Sequence, residues 1–235
     1  MTADKLATAL GAVDWDHNVT NYFKDGRSAK ALAKSNLRLA VWAKQFEITD
    51  TGNPALCFIR EMQVASQHVA VLTALSLYKP AAASMRTMLE TALYYSYFRT
   101  HPSELTTLAS DPNFYIGKRA LLEYHMIHTR DFKEIQNKLK LVSSLGDWYR
   151  TVSAIIHGQI PGTWVEHKSV AEIKHIQSSQ DIVVETFTKG EEIVHRLFLC
   201  TVGRELWDGF SSTAKKRLLS GMHGELKAAL ALDSA

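Results

Sequence analysis

The chain contains few of the residues that cross-link a fold or interrupt its helices. Its 235 residues include two cysteines, Cys57 and Cys200, too few for a disulfide framework and, without further ligands, for a zinc site. Both lie in apolar helical stretches, so we expect reduced, buried thiols. Five prolines and 12 glycines leave long uninterrupted segments, which favours helices.

Several motifs are also absent. No window of about 18 apolar residues is free of charge, which argues against a membrane span. The N-terminal segment lacks the basic start and apolar core that are typical of a signal peptide. A phosphate loop, a dinucleotide-binding glycine motif and a Gly-x-Ser-x-Gly element are missing as well. We therefore expect a cytoplasmic protein without a membrane partner that is neither a nucleotide-loop enzyme nor a serine hydrolase.

The overall composition is that of a globular protein. Hydrophobic residues make up 46% and charged residues 22% of the chain, enough for a sizeable core. The formal net charge is +3 and the isoelectric point about 8.8. This mild basicity permits a polyanionic partner without requiring one.

Apolar residues recur at helical spacing through most of the chain, and strand signals are few. We therefore predict an all-α fold. N-terminal helices in residues 1–50 pack on a helical bundle formed by 51–235, as one domain overall. The pattern weakens in a less regular insert, 159–188, where 180–187 is interpreted as a short strand or an extended segment. Helices are predicted over 3–11, 28–46, 54–78, 80–98, 116–128, 131–140, 143–157, 190–209 and 212–232.

The helices predicted over 54–78 and 80–98 are apolar nearly all round, which indicates central positions. The second contains only two formal charges, Arg86 and Glu90. An unpaired buried ion costs several kcal/mol, and residues four apart on a helix can pair, so we expect these two to form an ion pair. Glu61 is predicted to lie with them on one buried side of the bundle, which we call the buried wall.

The segment DWYRTVSAIIHGQIPG, residues 147–162, adds Arg150 and His157. Seven residues turn a helix through about 700°, so the two side chains share a face and lie roughly 10.5 Å apart along the axis, with Ser153 between them. They complete the predicted buried wall. A plainer interpretation is that the helix ends at His157 with Gly158 as the residue after the cap, where the helix dipole favours a basic side chain. From the residues alone, both a chemical pair and a helix end stay open.

The stretch RTVSAIIH resembles the R-x(4-6)-H signature of the HEPN superfamily. HEPN proteins are all-α domains found in bacterial toxins, abortive-infection and antiviral systems, and many are metal-independent endoribonucleases. Two further elements occur in the expected order, CFIREMQVASQHVAVLTALSLY with an early glutamate and MRTMLETALYY with an R-x-x-x-E pair. The resemblance covers roughly residues 54–160. Active members usually carry Asn, Asp or Ser directly after the arginine, and this chain carries Thr151.

The resemblance implies an activity and a site. His157 would be the general acid or base, Arg150 would hold the scissile phosphate, and Ser153 would orient the imidazole or bond a phosphate oxygen. It implies no metal and no cofactor, because the 2′-hydroxyl of RNA is the nucleophile. It also implies a homodimer with two motifs at one cleft, RNA as substrate, and an antitoxin or defence-complex protein as partner. The supporting network would consist of Glu61, Arg86, Glu90 and Thr151.

Two other functions are weighed beside this one. The first is a non-catalytic helical module for dimerisation or for binding a protein, RNA or nucleotide, with Arg150 and His157 in a core network. The second is a di-metal carboxylate bundle, which needs Glu-x-x-His on two helices and a further Glu on each of two others. Within the predicted helices only one copy, from Glu192 to His195, is present, so the sequence does not favour this class.

Overall fold

Helices follow one another along nearly the whole chain in the computed structural model, which describes residues 2–24, 26–160, 164, 167–230 and 232. Within these residues no strand occurs, which confirms the all-α prediction. A short 3-10 turn, Val170–Glu172, precedes the tenth helix. In chain order the helices are α1 (Ala3–Gly11), α2 (Trp15–Phe23), α3 (Arg27–Thr49), α4 (Leu56–Ala74), α5 (Tyr78–Phe98), α6 (Pro102–Ser110), α7 (Lys118–His128), α8 (Phe132–Leu139), α9 (Leu141–Ile156), α10 (Gln177–Thr201), α11 (Gly203–Asp208), α12 (Ser212–Leu218) and α13 (Gly224–Leu230).

The strand or extended segment predicted at 180–187 is wrong, because these residues belong to α10. Their β-branched side chains imitate a strand, but Val183, Phe187 and Val194 fall at helical spacing and are buried on one face. Gly190 lies on the same face. A Cβ there would be 2.5 Å from Cζ2 of Trp148, so α9 and α10 approach each other closely at this glycine.

The pattern also misses several helix boundaries. It does not reveal α2, which begins at Trp15 after the N-cap residue Asp14, whose side chain accepts a hydrogen bond from the His17 N–H. It does not reveal α6 either, which has Pro102 as its first residue. The helices predicted over 190–209 and 212–232 are each divided. Left-handed Gly203 (φ +64°) follows the end of α10, and Gly221 (φ +82°) lies between α12 and α13.

α5 is the central helix and packs against α4, α9 and α10. Side chains on nearly all its sides are buried, as predicted, including Met85, Leu89 and Phe98. No described helix, α5 included, is both long and apolar enough to cross a membrane. The buried residues of α5 are Tyr78, Ala81, Ala82, Met85, Met88, Leu89, Thr91, Ala92, Leu93, Tyr95, Ser96, Tyr97 and Phe98.

α4 does not have the fully buried position that its composition predicts. It contacts α3 and α5 through one face, whereas its opposite face lies in solvent. Glu61, His68 and Cys57 are on this exposed face, so the predictions that Glu61 lies in a buried wall and that Cys57 is a buried thiol are wrong. Cys200 is buried as predicted. The apolar residues Val64 and Val71 on the same face explain the difference, because they make an exposed stripe resemble a core stripe.

α3 and α10 run side by side in the same direction. Three of the side-chain hydrogen bonds between them join residues 152, 153 and 153 positions apart, so the two helices keep one register over several turns. Around the last bond, Trp42 is fully buried and has the rings of Phe46, Phe198, Trp207 and Phe210 within 6.1 Å. The bonded pairs are Ser28 with Gln180, Arg38 with Glu191, and Trp42 with His195.

Candidate functional site on the outer face of α9

Arg150 and His157 share one face of α9, and this face is turned to solvent. The buried stripe of the helix consists of Leu141, Leu145, Trp148, Val152 and Ile155. At 100° per residue, both basic side chains lie on the side of the helix opposite that stripe. The Arg150 side chain is 80% exposed, and His157 is exposed as well. The shared face is therefore as predicted, but the prediction that these two residues lie in a buried wall is wrong, because both side chains are exposed.

The end of α9 is a Schellman motif. Gly158 has φ +67°, its N–H donates to the carbonyl of Ile155 at 3.1 Å, and the Gln159 N–H donates to the carbonyl of Ala154 at 2.8 Å. The helix thus ends with His157 as its cap and Gly158 after it, as the sequence predicts. Within the described chain no residue forms a hydrogen bond with the His157 imidazole, so the ring stands free at the helix end.

Gly158→Ala should lower the free energy of unfolding by about 1–2 kcal/mol, because an L side chain is strained in the left-handed region. The loss would come from the backbone, since the new Cβ would meet only the Lys79 Nζ, at 3.7 Å. Gly146→Ala, inside the same helix with nothing within 4 Å of its Cβ, should instead raise stability by roughly 0.5–1 kcal/mol. Urea unfolding measures both, and changes of the same sign would contradict this account of the helix end.

A half-buried ionic cluster joins α5 to α9 beside Arg150. Arg86 Nε donates to Glu90 Oε1 at 2.8 Å, which confirms the predicted pair, and the Tyr149 hydroxyl donates to the same oxygen at 2.5 Å. The Arg86 guanidinium lies 4.8 Å and the Lys118 Nζ 3.9 Å from the centre of the Tyr149 ring. Three helices, α5, α7 and α9, thus converge next to Arg150.

Positive charge is in excess on this side of the molecule. Burial lowers the pKa of Lys118, and the nearby charges of Arg86 and Arg150 lower it further. Glu90 is the carboxylate at the centre of the cluster, and Arg150 itself contacts Asp147 at 3.4 Å. Because cations repel one another here, an added anion would be stabilised.

The other predicted site residues do not converge on Arg150 and His157. Ser153 has a buried hydroxyl without a hydrogen-bond partner in the described structure, so it neither orients the imidazole nor reaches an approaching phosphate. The Thr151 hydroxyl donates to the carbonyl of Asp147 in its own helix, at 3.1 Å. Thr151 also lines a groove of about 600 Å³ between α9 and α10, which neither Arg150 nor His157 lines. Glu61 is on α4, outside the cluster that contains Arg86.

A second polar network, between α3 and α10, is not identified by the sequence analysis. Arg38 donates to both oxygens of Glu191, at 2.6 and 2.7 Å, and to Glu192 at 2.5 Å. Arg196 donates to Glu192 at 3.0 Å, and Trp42 Nε1 donates to His195 Nδ1 at 3.0 Å. The Glu-x-x-His spacing from Glu192 to His195 is therefore used in these bonds. The sequence signal for this network was the group Glu191, Glu192 and Arg196 in the second half of α10, where most other residues are apolar.

Comparison with known proteins assigns no function to either cluster. No family model, curated protein or solved structure matches this chain. Among the described residues, no three His, Cys, Asp or Glu side chains form a group that could hold a metal ion. The geometry of the side chains is therefore the basis for proposing a function.

Burial changes the titration of groups in the core. It lowers the pKa of His195 to about 3, and it raises the pKa of Glu191 above its usual range. It also lowers the pKa of His125 to about 4, where the ring lies between the hydroxyls of Ser96 at 3.0 Å and Thr129 at 2.7 Å. Both histidines are thus neutral in the folded chain near pH 7.

Acidification from pH 6.5 to about 5 should destabilise the chain by roughly 1.4 kcal/mol per pH unit for each of these two histidines. The unfolded chain takes up protons below pH about 6.5, whereas folded His125 and His195 stay neutral down to about 4 and 3. Their contribution is complete above pH 6.5 and is lost as the pH falls, since the unfolded state binds more protons. Urea unfolding at several pH values measures the slope.

Histidine variants test the assignment of that slope. His125→Gln removes one titrating ring and should reduce the slope by about half. His68→Gln is the control, because His68 is exposed, and it should leave the slope unchanged. Stability independent of pH between 6.5 and 5 would contradict burial of the two neutral rings.

Proposed function

We propose that the chain is a metal-independent endoribonuclease of the HEPN type, with His157 as general acid or base and Arg150 as the phosphate ligand. The observation that carries the proposal is that both side chains reach solvent from one outward face of α9. An RNA backbone can approach both groups without any opening of the fold. This accessibility is what a nuclease site requires and what a buried structural pair would lack.

The Arg150 guanidinium is available to a phosphate. Its contact with Asp147, at 3.4 Å, joins two side chains that are 80% and 76% exposed. Such surface pairs contribute about 1 kcal/mol or less, and a hydrogen bond to a phosphate oxygen is stronger. Rotation of the long side chain toward the C-terminal end of α9 then brings the guanidinium nearer to His157.

The proposed reaction needs few protein groups. The 2′-hydroxyl of RNA attacks the adjacent phosphorus, the 5′-oxygen leaves, and a 2′,3′-cyclic phosphate forms. His157 takes the proton from the 2′-oxygen or gives one to the 5′-oxygen. Arg150 stabilises the negative charge that develops on the phosphate oxygens in the transition state.

The surrounding charge favours a polyanion. Lys118 lies over the ring of Tyr149, the residue before Arg150, and Lys79 reaches Gly158, the residue after His157. Cations thus flank both ends of the proposed site. Phosphates next to the scissile one would be bound by them, which makes binding dependent on salt.

A second copy of the chain is part of this proposal. One His157 supplies one proton-transfer group, whereas cleavage uses a base and an acid. A two-fold axis beside the outward face of α9 would place a second His157 at the same cleft. An antitoxin or a defence-complex protein as partner stays a prediction of the family resemblance.

A non-catalytic helical binding module is the second candidate. Two observations favour it. The described residues do not hold the His157 ring in one orientation, and the Ser153 hydroxyl is buried without a hydrogen-bond partner among them. A module of this kind would bind RNA or a partner through the same basic face and leave the RNA intact.

Arg150→Gln should reduce RNA cleavage on the order of 100-fold or more, because one charge-stabilising donor is lost from the transition state. The assay uses the full chain with a labelled RNA and EDTA. Arg130→Gln is a matched control, since Arg130 is also exposed and contacts an aspartate, Asp131, at 3.3 Å. Intact RNA with the wild-type chain, together with RNA binding that Arg150→Gln weakens, would favour the second candidate.

A further inference from the structure

A cavity separate from the outer face of α9 lies where α3, α8, α10 and the α12–α13 connection meet. Its volume is about 340 Å³. Cationic side chains line it on several sides, and Glu192 is the acidic residue in its described lining. The arginine, lysine and histidine residues of the lining are Arg38, Lys138, Lys140, His195, Arg196 and His223.

His195 presents a hydrogen-bond donor to this cavity. The residue is 3% exposed and lines the cavity. Its Nδ1 accepts from Trp42 Nε1, and because an indole nitrogen can only donate, the proton of the neutral imidazole is on Nε2. No residue in the described chain accepts a hydrogen bond from that Nε2. This donor is therefore available to an acceptor bound in the cavity.

Two guanidinium groups add further donors. Arg38 uses Nε and Nη2 to bind Glu191 and Glu192, and its Nη1 donates to no described residue. Arg196 uses Nε on Glu192 and Nη1 on the carbonyl of Leu139, and its Nη2 likewise has no acceptor in the described structure. The carboxylates therefore fix both guanidiniums in place while one nitrogen of each stays available.

The charge balance around the cavity is positive. Glu191 and Glu192 largely compensate the two guanidiniums, and Lys138 at the rim pairs with the exposed Glu134 at 2.6 Å. Lys140 at the rim adds a further positive charge, and the Lys138 pair lies in solvent, where such a contact is weak. Lys140 has the left-handed φ of +52°, a conformation that is strained for a non-glycine residue. The chain thus keeps a lysine at a position where glycine or asparagine would be less strained.

From this arrangement we infer that the cavity binds the phosphate group of a small phosphate monoester. Three fixed donors and two lysines suit the several oxygens of a phosphate dianion better than the two oxygens of a carboxylate. A bare phosphate would fill only part of about 340 Å³. The side chains of Met222 and Leu226, which also line the cavity, provide an apolar surface for the organic part of the ligand.

The phosphate site is independent of the proposed cleavage site. Lys140 immediately precedes α9 and His157 immediately follows it, so the 16 residues of the helix separate the two by about 25 Å. A ligand in the cavity would also contact the network that joins α3 to α10, rather than the outward face of α9. The inference therefore holds or fails separately from the ribonuclease proposal.

The test is a titration of the full chain with inorganic phosphate and with adenosine 5′-monophosphate at constant ionic strength, followed in ¹H–¹⁵N spectra. The indole N–H of Trp42 is the reporter, because it is bonded to His195. We expect a saturable shift of that signal, with the monoester binding at least as tightly as phosphate. The double variant Lys138→Gln/Lys140→Asn should weaken both affinities at least 10-fold, and asparagine tolerates the left-handed backbone at position 140.

Lys133→Gln is the matched control, since Lys133 is an exposed lysine of α8 that does not line the cavity. It should bind both probes like the wild-type chain. Three results would overturn the inference: no shift of the Trp42 signal, wild-type affinity in the double variant, or equal shifts with chloride and sulfate at the same concentration. The last would indicate an unspecific response to anions.

Discussion

His157→Ala should reduce RNA cleavage by about 10²- to 10⁴-fold and leave the melting temperature within a few degrees of that of the wild-type chain. The range is that of a lost general acid or base. Stability should barely change because the ring is exposed and forms no hydrogen bond with a described residue. Cleavage rates at saturating RNA and a thermal scan of the same preparation measure the two effects.

His128→Ala provides the control for this result. His128 is also an exposed histidine at a helix end, the last residue of α7. It should cleave RNA at the wild-type rate. Unchanged cleavage in His157→Ala would remove His157 from the mechanism, and a large loss of stability would show that the residue is structural instead.

Arg38→Ala should lower the free energy of unfolding by about 3–5 kcal/mol, the largest stability change expected of any variant considered. The Glu191 side chain is 2% exposed, and Arg38 binds both of its oxygens. Without the guanidinium, a carboxylate stays buried with no compensating charge, or is protonated at the expense of stability. Urea unfolding at pH 7 gives the difference directly.

Arg60→Ala is a control with the same bonding geometry in solvent. Arg60 also binds both oxygens of a glutamate, Glu47, at 2.7 and 3.0 Å, but its side chain is 64% exposed. Its loss should cost far less than that of Arg38, because solvent screens an exposed ion pair. The double variant Arg38→Met/Glu191→Leu should recover much of the stability, because apolar residues replace the buried pair. Equal costs for the two arginines would contradict the importance of burial.

The fold was predictable where the apolar spacing is regular. α5 and α9 have long stripes of buried residues, and their positions and the end of α9 at Gly158 follow from the sequence. The pattern failed at the start of α10, because β-branched residues also suit strands and the contacts of this helix with α3, α5 and α9 decide which of its residues are buried. It failed at α4 because exposed valines resemble core residues.

The candidate sites were predictable only in part. The i,i+4 pair of Arg86 and Glu90 and the common face of Arg150 and His157 are properties of single helices, so spacing reveals them. The bond between Arg38 and Glu191 joins residues 153 positions apart, and no local spacing indicates it. Exposure was also misjudged for Glu61, because whether a helix face is covered depends on its neighbours in space.

The bonds between α3 and α10 have a consequence for synthesis of the chain. Their partners are 152 to 154 residues apart, and ribosomes add about 5–20 residues per second. The apolar side of α3, with Leu39 and Trp42, therefore leaves the ribosome roughly 8 to 30 s before the helix that covers it. Throughout that interval the nascent chain presents this surface to chaperones, and its final burial waits until translation has passed Cys200.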